Sequence, residues 1–155
     1  MNHFPETQQK FSAKAERVRH KGSAALSSFM EAVMERELLY VELKTGYSDD
    51  GPAWIGYVQR SKSGKTLYFN DHAFQKQTGP YSNYIDIENG DAYWISGVKR
   101  YETNRHWAGH GVIRIDKRAV GEFLHLIREN KLPHGYEPVD IEDKYPVERI
   151  RNMCN

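Results

Sequence analysis

Cysteine is almost missing from this chain. Cys154 is the only one in 155 residues, so no disulfide can form within the chain and nothing points to an oxidising compartment. Long apolar runs are missing as well: no stretch approaches the roughly 18 to 20 residues that span a bilayer. The opening MNHFPETQQK lacks the apolar core of a signal peptide. A cytoplasmic protein with no membrane partner is therefore expected. A strong charge of one sign is the third absence. The net charge of +1 neither demands nor excludes an acidic partner.

What is present fits one ordinary domain with a single core, since the length suffices to bury most of the apolar surface of the unfolded chain. Charged residues at 28% and apolar ones at 39% keep the sequence well away from the disordered regime. Aromatics stand out at 12%, with ten tyrosines, and the three tryptophans, Trp54, Trp94 and Trp107, all fall in the middle of the chain. That middle is also mildly basic: residues 52–118 hold ten Lys/Arg against six Asp/Glu, whereas residues 119–155 hold five against seven. The excess is too small to make nucleic acid the default partner.

Taken in order, residues 6–36 contain no proline and read as helix in two pieces broken near Gly22. The second piece carries an apolar stripe of Leu26, Phe29, Met30, Val33 and Met34 behind the capping residue Ser23. Leu38 to Lys44 alternates as a strand, and Ala53 to Arg60 carries large groups on both faces, which suits a central strand. Ser61 to Lys65 joins it to Thr66 to Asn70 as a hairpin, with Gly64 available for positive φ. Gly64, Lys65 and Thr66 do not make a phosphate-binding P-loop, because Gln59 stands where its first glycine belongs and a β-type TLYF follows where it needs a helix.

From Phe74 to Asn83 the chain reads as a loop crossing the sheet, and Asn89–Gly90 is the strongest turn signal. Strands are expected at Ala92 to Arg100 and Gly109 to Asp116. Asp116 is placed to cap a helix from Lys117 to Asn130, whose stripe is Val120, Phe123, Leu124 and Ile127. After His134 the tail reads as an extended, partly anchored segment, with Pro138 and Pro146 opposing a long helix. The fold class that follows is α+β: a bent antiparallel sheet or small barrel of about five strands, with an N-terminal helical segment and one helix after the last strand. Its divisions fall at 1–37 for the helical segment, 38–132 for the aromatic β domain with its helix, and 133–155 for the tail.

The phrases AWIGYVQRSKSGKTLYFNDHAF, YWISGVKR and NRHWAGHGVIRID, in that order, resemble those of a family of short bacterial proteins. The resemblance spans roughly 38–126 and implies no particular activity or site residue.

Chemistry concentrates in Arg105, His106, Trp107 and His110. The histidines are four apart, a metal-ligand spacing on a helix, but Ala108 and Gly109 oppose a helix and no third ligand stands at a recognisable spacing. No metal and no cofactor is expected. Two function classes follow. The first is a non-catalytic cytoplasmic binding module, most readily for a protein partner and secondarily for nucleic acid, whose contact surface is an aromatic, mildly basic sheet bearing Lys62, Lys65, Tyr93, Trp94, Lys99, Arg100 and Trp107. The second is a small metal-independent enzyme acting on phosphodiesters. There His106 or His110 serves as general base and Arg105 stabilises developing negative charge.

Overall fold

The computed structural model describes residues 36–45 and 49–153. Residues 1–35 of the expected N-terminal helical segment and Cys154 lie outside the described residues, and the last two residues of that segment, Arg36 and Glu37, are strand instead of helix. The strands among them are β1 (Arg36–Leu43), β2 (Ala53–Arg60), β3 (Thr66–Phe69), β4 (His72–Lys76), β5 (Tyr84–Asp86), β6 (Ala92–Gly97), β7 (Ile113–Asp116) and β8 (Tyr136–Val139). A short 3-10 turn at Lys117–Ala119 leads into helix α1 (Val120–Ile127), and helix α2 (Val147–Met153) comes last.

The sheet order is β1-β6-β5-β4-β3-β2, and β1 also pairs with β2, so six antiparallel strands close into a barrel. Strand β2 is central, as its two-faced sequence suggested. One edge lies along β1; the other is shared between β3 at Gln59 and Arg60 and the parallel strand β7 at Ala53 to Ile55. β8 extends this second branch parallel to β7.

Alternation sorts the strand residues into two layers. Leu39, Val41, Val58, Leu67, Phe69, Phe74, Tyr93 and Ile95 fill the barrel interior. On the outer face of β1, β2 and β7, Tyr40, Ala53, Ile55, Ile113 and Ile115 pack against Phe123 of α1, with Val120 and Ile127 beside it. A third cluster sets Ile150 of α2 against Tyr68 and Ala73 on the outside of β3 and β4.

The expected barrel is present, but the count of about five strands is too low: eight are found among the described residues. The loop expected from Phe74 is in part strand β4, and β5 was not foreseen. Asn70 and Asp71, at φ 48° and 63°, form a tight hairpin turn into β4, and β5 is only three residues long, too short for a periodicity to register. β8 contains Pro138, which is tolerated because this strand pairs on one side only. The tail is not simply extended either, since α2 follows Pro146, a residue that suits the start of a helix.

Other boundaries move for identifiable reasons. β6 ends at Gly97 rather than Arg100 because the Lys99 amide donates to the Asn104 side chain. Asp116 accepts from the Arg118 amide as expected, although the first turn is 3-10, and Arg128 in the left-handed region stops α1. Gly64 takes φ +70° at the hairpin tip.

Asp143 anchors the tail. Its carboxylate accepts from Arg118 at 2.7 and 3.0 Å and from Arg36 at 3.0 Å, joining the start of β1 to the turn after β7. The Arg118 guanidinium holds the Asp143 carboxyl below its usual range. Unfolded chain therefore binds the proton more readily. The stabilisation is present above the ordinary carboxylate pKa and is lost as pH falls through the lower folded value. Asp143→Asn should lower the urea midpoint at neutral pH, and the gap to wild type should close in melts taken below about pH 4.

Candidate functional site

Between β6 and β7 the chain makes the longest stretch without helix or strand among the described residues, residues 98–112, and two buried polar side chains tie it down. Asn104 accepts from the Lys99 amide at 2.8 Å and donates to the Tyr136 hydroxyl at 3.0 Å, tying the loop to β8. Arg105 is only 5% exposed. Its guanidinium donates to the carbonyls of Gly111, Asp49 and Val112 at 3.1, 3.0 and 3.2 Å. The carbonyls of Gly111 and Val112 are thereby taken by a side chain, which explains why β7 begins at Ile113 instead of Gly109.

The charge of Arg105 is matched from below. Glu42, on the outer face of β1 and 1% exposed, places Oε1 3.6 Å from Arg105 Nη1. The same carboxylate accepts from the Tyr40 hydroxyl at 2.7 Å and from Lys44 Nζ at 3.1 Å, and Lys44 also reaches Asp49 at 2.6 Å. Burial and the neighbouring Glu42 push the Tyr40 phenol far above its ordinary range, so it acts as a donor at all physiological pH. The loop closes over this network at Gly109, where a Cβ would stand 2.7 Å from the Asp49 carbonyl, too close for any other residue.

Above the buried network the loop carries exposed groups. Trp107 is 87% exposed and Tyr101 82%. His106 is half-exposed, its ring centroid 5.4 Å from that of Trp107 and its Nδ1 3.2 Å from Asp49 Oδ2. The Ala108 amide donates to the same Nδ1 at 3.3 Å. With its proton on Nδ1 the ring donates to Asp49, and with Nδ1 bare it accepts from Ala108. At His110 it is the backbone amide that is held, by Asp50 Oδ1 at 2.6 Å.

The remaining sequence-derived residues are scattered. Tyr93 is withdrawn from any contact surface: at 4% exposure it packs inside the barrel on Phe74, and burial raises its phenol to about 12. Trp94 lies on the outer face of β6, paired across from Glu42 and 37% exposed. Lys99 bridges Glu102 at 3.7 Å, and Arg100 is exposed. Lys62 and Lys65 sit on the β2–β3 hairpin beyond Arg60, whereas the Arg105 network sits at the Ala53 end of β2. Those ends are seven residues apart, roughly 23 Å of extended chain. A single aromatic sheet face is therefore not found: the strand aromatics divide between the barrel interior and the outer clusters, and apart from Trp94 the exposed ones stand on loops.

Two groupings escaped the sequence reading. His72 Nδ1 lies 2.7 Å from the fully buried carboxylate of Asp86, over the rings of Phe74 and Tyr93. Arg60, Lys76 and Tyr84 join Lys65 around a cleft at one end of the barrel. Both become visible once β4 is recognised as a strand, since His72, Phe74 and Lys76 then share its inner face.

Among the described residues no group of three or more His, Cys, Asp or Glu side chains could hold a metal ion. None of their helices is long and apolar enough to cross a membrane. No family model matches the chain, and no curated protein or solved structure matches it significantly.

A buried guanidinium that holds three carbonyls is costly to remove, because those acceptors and Glu42 are left without it. Arg105→Met should lower stability by about 3 kcal/mol in urea denaturation. Arg105→Lys should recover only part of this, since one ammonium cannot reach carbonyls on both sides of the loop.

Proposed function

We propose that this chain is a non-catalytic binding module that docks on a protein partner through the 98–112 loop, with Trp107 as the anchor. The observation that carries the reading is a tryptophan 87% exposed on a loop whose shape is fixed by buried Asn104 and Arg105. Leaving an aromatic of ~150–250 Å² in water forgoes roughly 4–6 kcal/mol at ~25 cal/mol per Å². A partner that covers the indole recovers part of that, and a loop already held in place loses little further entropy on docking. Tyr101 and Val112 add exposed apolar surface on the same loop.

Charge favours a protein over nucleic acid. Lys99 is bridged to Glu102, His106 lies beside Asp49, and Arg105 is buried, so the loop largely neutralises itself. Binding to a phosphate backbone relies on several cations free to displace counterions. The hydrolytic alternative draws less support. Arg105 is buried and spends its donors on backbone carbonyls, so it is not free to stabilise negative charge developing on a substrate. Neither histidine lines the barrel-end cleft or the cleft beside α2.

Against a partner captured by cross-linking and then purified, Trp107→Ala should weaken binding by about thirtyfold, the effect of an anchor worth ~2 kcal/mol. Lys62→Ala, at the far end of β2, should leave the affinity unchanged. An unaltered affinity in Trp107→Ala overturns the reading. So does tight binding of a single-stranded oligonucleotide that quenches Trp107 and weakens steeply with salt.

A further inference from the structure

We infer that the end of the barrel at which β1 begins is a binding site for a small phosphate monoester, held between Lys65 and Lys76 with its organic part against Tyr84. Arg60, Gly64, Lys65, Gln75, Lys76 and Tyr84 line a cleft of about 430 Å³ there, within the size range of sites for small ligands. The alternation of the strands brings the cations together. Arg60 follows Val58 by two residues, Lys76 follows Phe74 by two, and Lys65 precedes Leu67 by two; those three apolar residues all belong to the barrel core. The charged side chains thus continue the inward rows one step past the last apolar layer, and they meet at the mouth. Tyr84, the Cα partner of Lys76 across β4 and β5, packs on the same core and supplies a flat wall.

The charges at the mouth are unbalanced. Arg60 donates through Nε and Nη2 to Glu37 at 3.2 and 2.7 Å, which consumes the acid at this end. Lys65 and Lys76 have no ionic partner among the described residues. Two uncompensated ammonium groups and the rest of the Arg60 guanidinium therefore border one small volume, a donor set suited to a phosphoryl dianion.

Lysines often serve only to keep a strand edge from pairing with another chain. That explanation does not apply here, because β3 and β4 are each paired on both sides within a closed barrel. Nor does the arrangement suit a polymer. A nucleic-acid strand offers a phosphate at every nucleotide and calls for cations along a track, whereas these converge on one point.

The test is an NMR titration of the full chain at low ionic strength with inorganic phosphate and, separately, adenosine monophosphate. Saturable shifts are expected at the Gly64, Lys65, Gln75 and Lys76 amides, with the two probes competing. Lys65→Glu and Lys76→Glu should each weaken adenosine monophosphate binding by about tenfold or more, the loss of one charge-assisted hydrogen bond. Both side chains are exposed, so the thermal midpoints should stay at the wild-type value and a folding defect is separable from a binding defect. Trp107→Ala should leave these shifts intact, which keeps this site distinct from the docking loop. Absence of saturable shifts at the four amides with both probes overturns the site. Shifts produced only by a single-stranded oligonucleotide, or only by vesicles containing phosphatidate, overturn the small-ligand assignment.

Discussion

Pairing of β1 with both β2 and β6 is the constraint on which the rest of the molecule depends. It converts a bent sheet into a closed ring of six strands, and a ring that narrow leaves room inside for its own side chains and nothing else. Leu39, Val41, Phe69, Phe74, Tyr93 and their neighbours fill it. Ligands and partners are thereby confined to the barrel ends and the outer surface. Closure also removes open edges from β3 and β4, so polar groups placed there are not needed to prevent edge pairing.

The outer surface is organised by what covers it. α1 shields the face formed by β1, β2 and β7, and α2 shields β3 and β4, each through a small apolar cluster. Near the β6 end of β1 that cover is polar rather than apolar. Glu42 is buried there with Tyr40, Lys44 and Arg105, and every member has a partner. In a region of low dielectric such a network is rigid, since any rearrangement strands a charge. The 98–112 loop is tied to that network through Arg105, and it carries the exposed Trp107.

Much of the barrel was legible in the chain itself. β2 was visible because both of its faces are apolar, the β2–β3 hairpin because Gly64 supplies the turn, and the α1 stripe because Val120, Phe123 and Ile127 recur at helical spacing. β4, β5 and β8 were not. Their three to five residues carry too few alternations to show a period, and β5 exists only because β4 and β6 flank it with backbone partners. The stretch around Arg105 to His110 stood out in the sequence, but its side chains could not be assigned roles from spacing. Arg105 bonds to Asp49, fifty-six positions away, and nothing local to either residue announces that contact.

The sequence by itself determined the class of the protein: a β-rich domain with a central two-faced strand, a capped helix after Asp116, and a middle segment bearing the tryptophans. These properties depend on neighbours within a few residues, and local periodicity and turn chemistry record them. Tertiary structure alone decided which aromatics are core and which are surface, sending Tyr93 inward and Trp107 outward, and which cations are spent. It buried Arg105 against carbonyls while leaving Lys65 and Lys76 to converge at a barrel mouth. The reason is that burial and charge pairing depend on barrel closure and strand register, and both are set by partners far away in the chain.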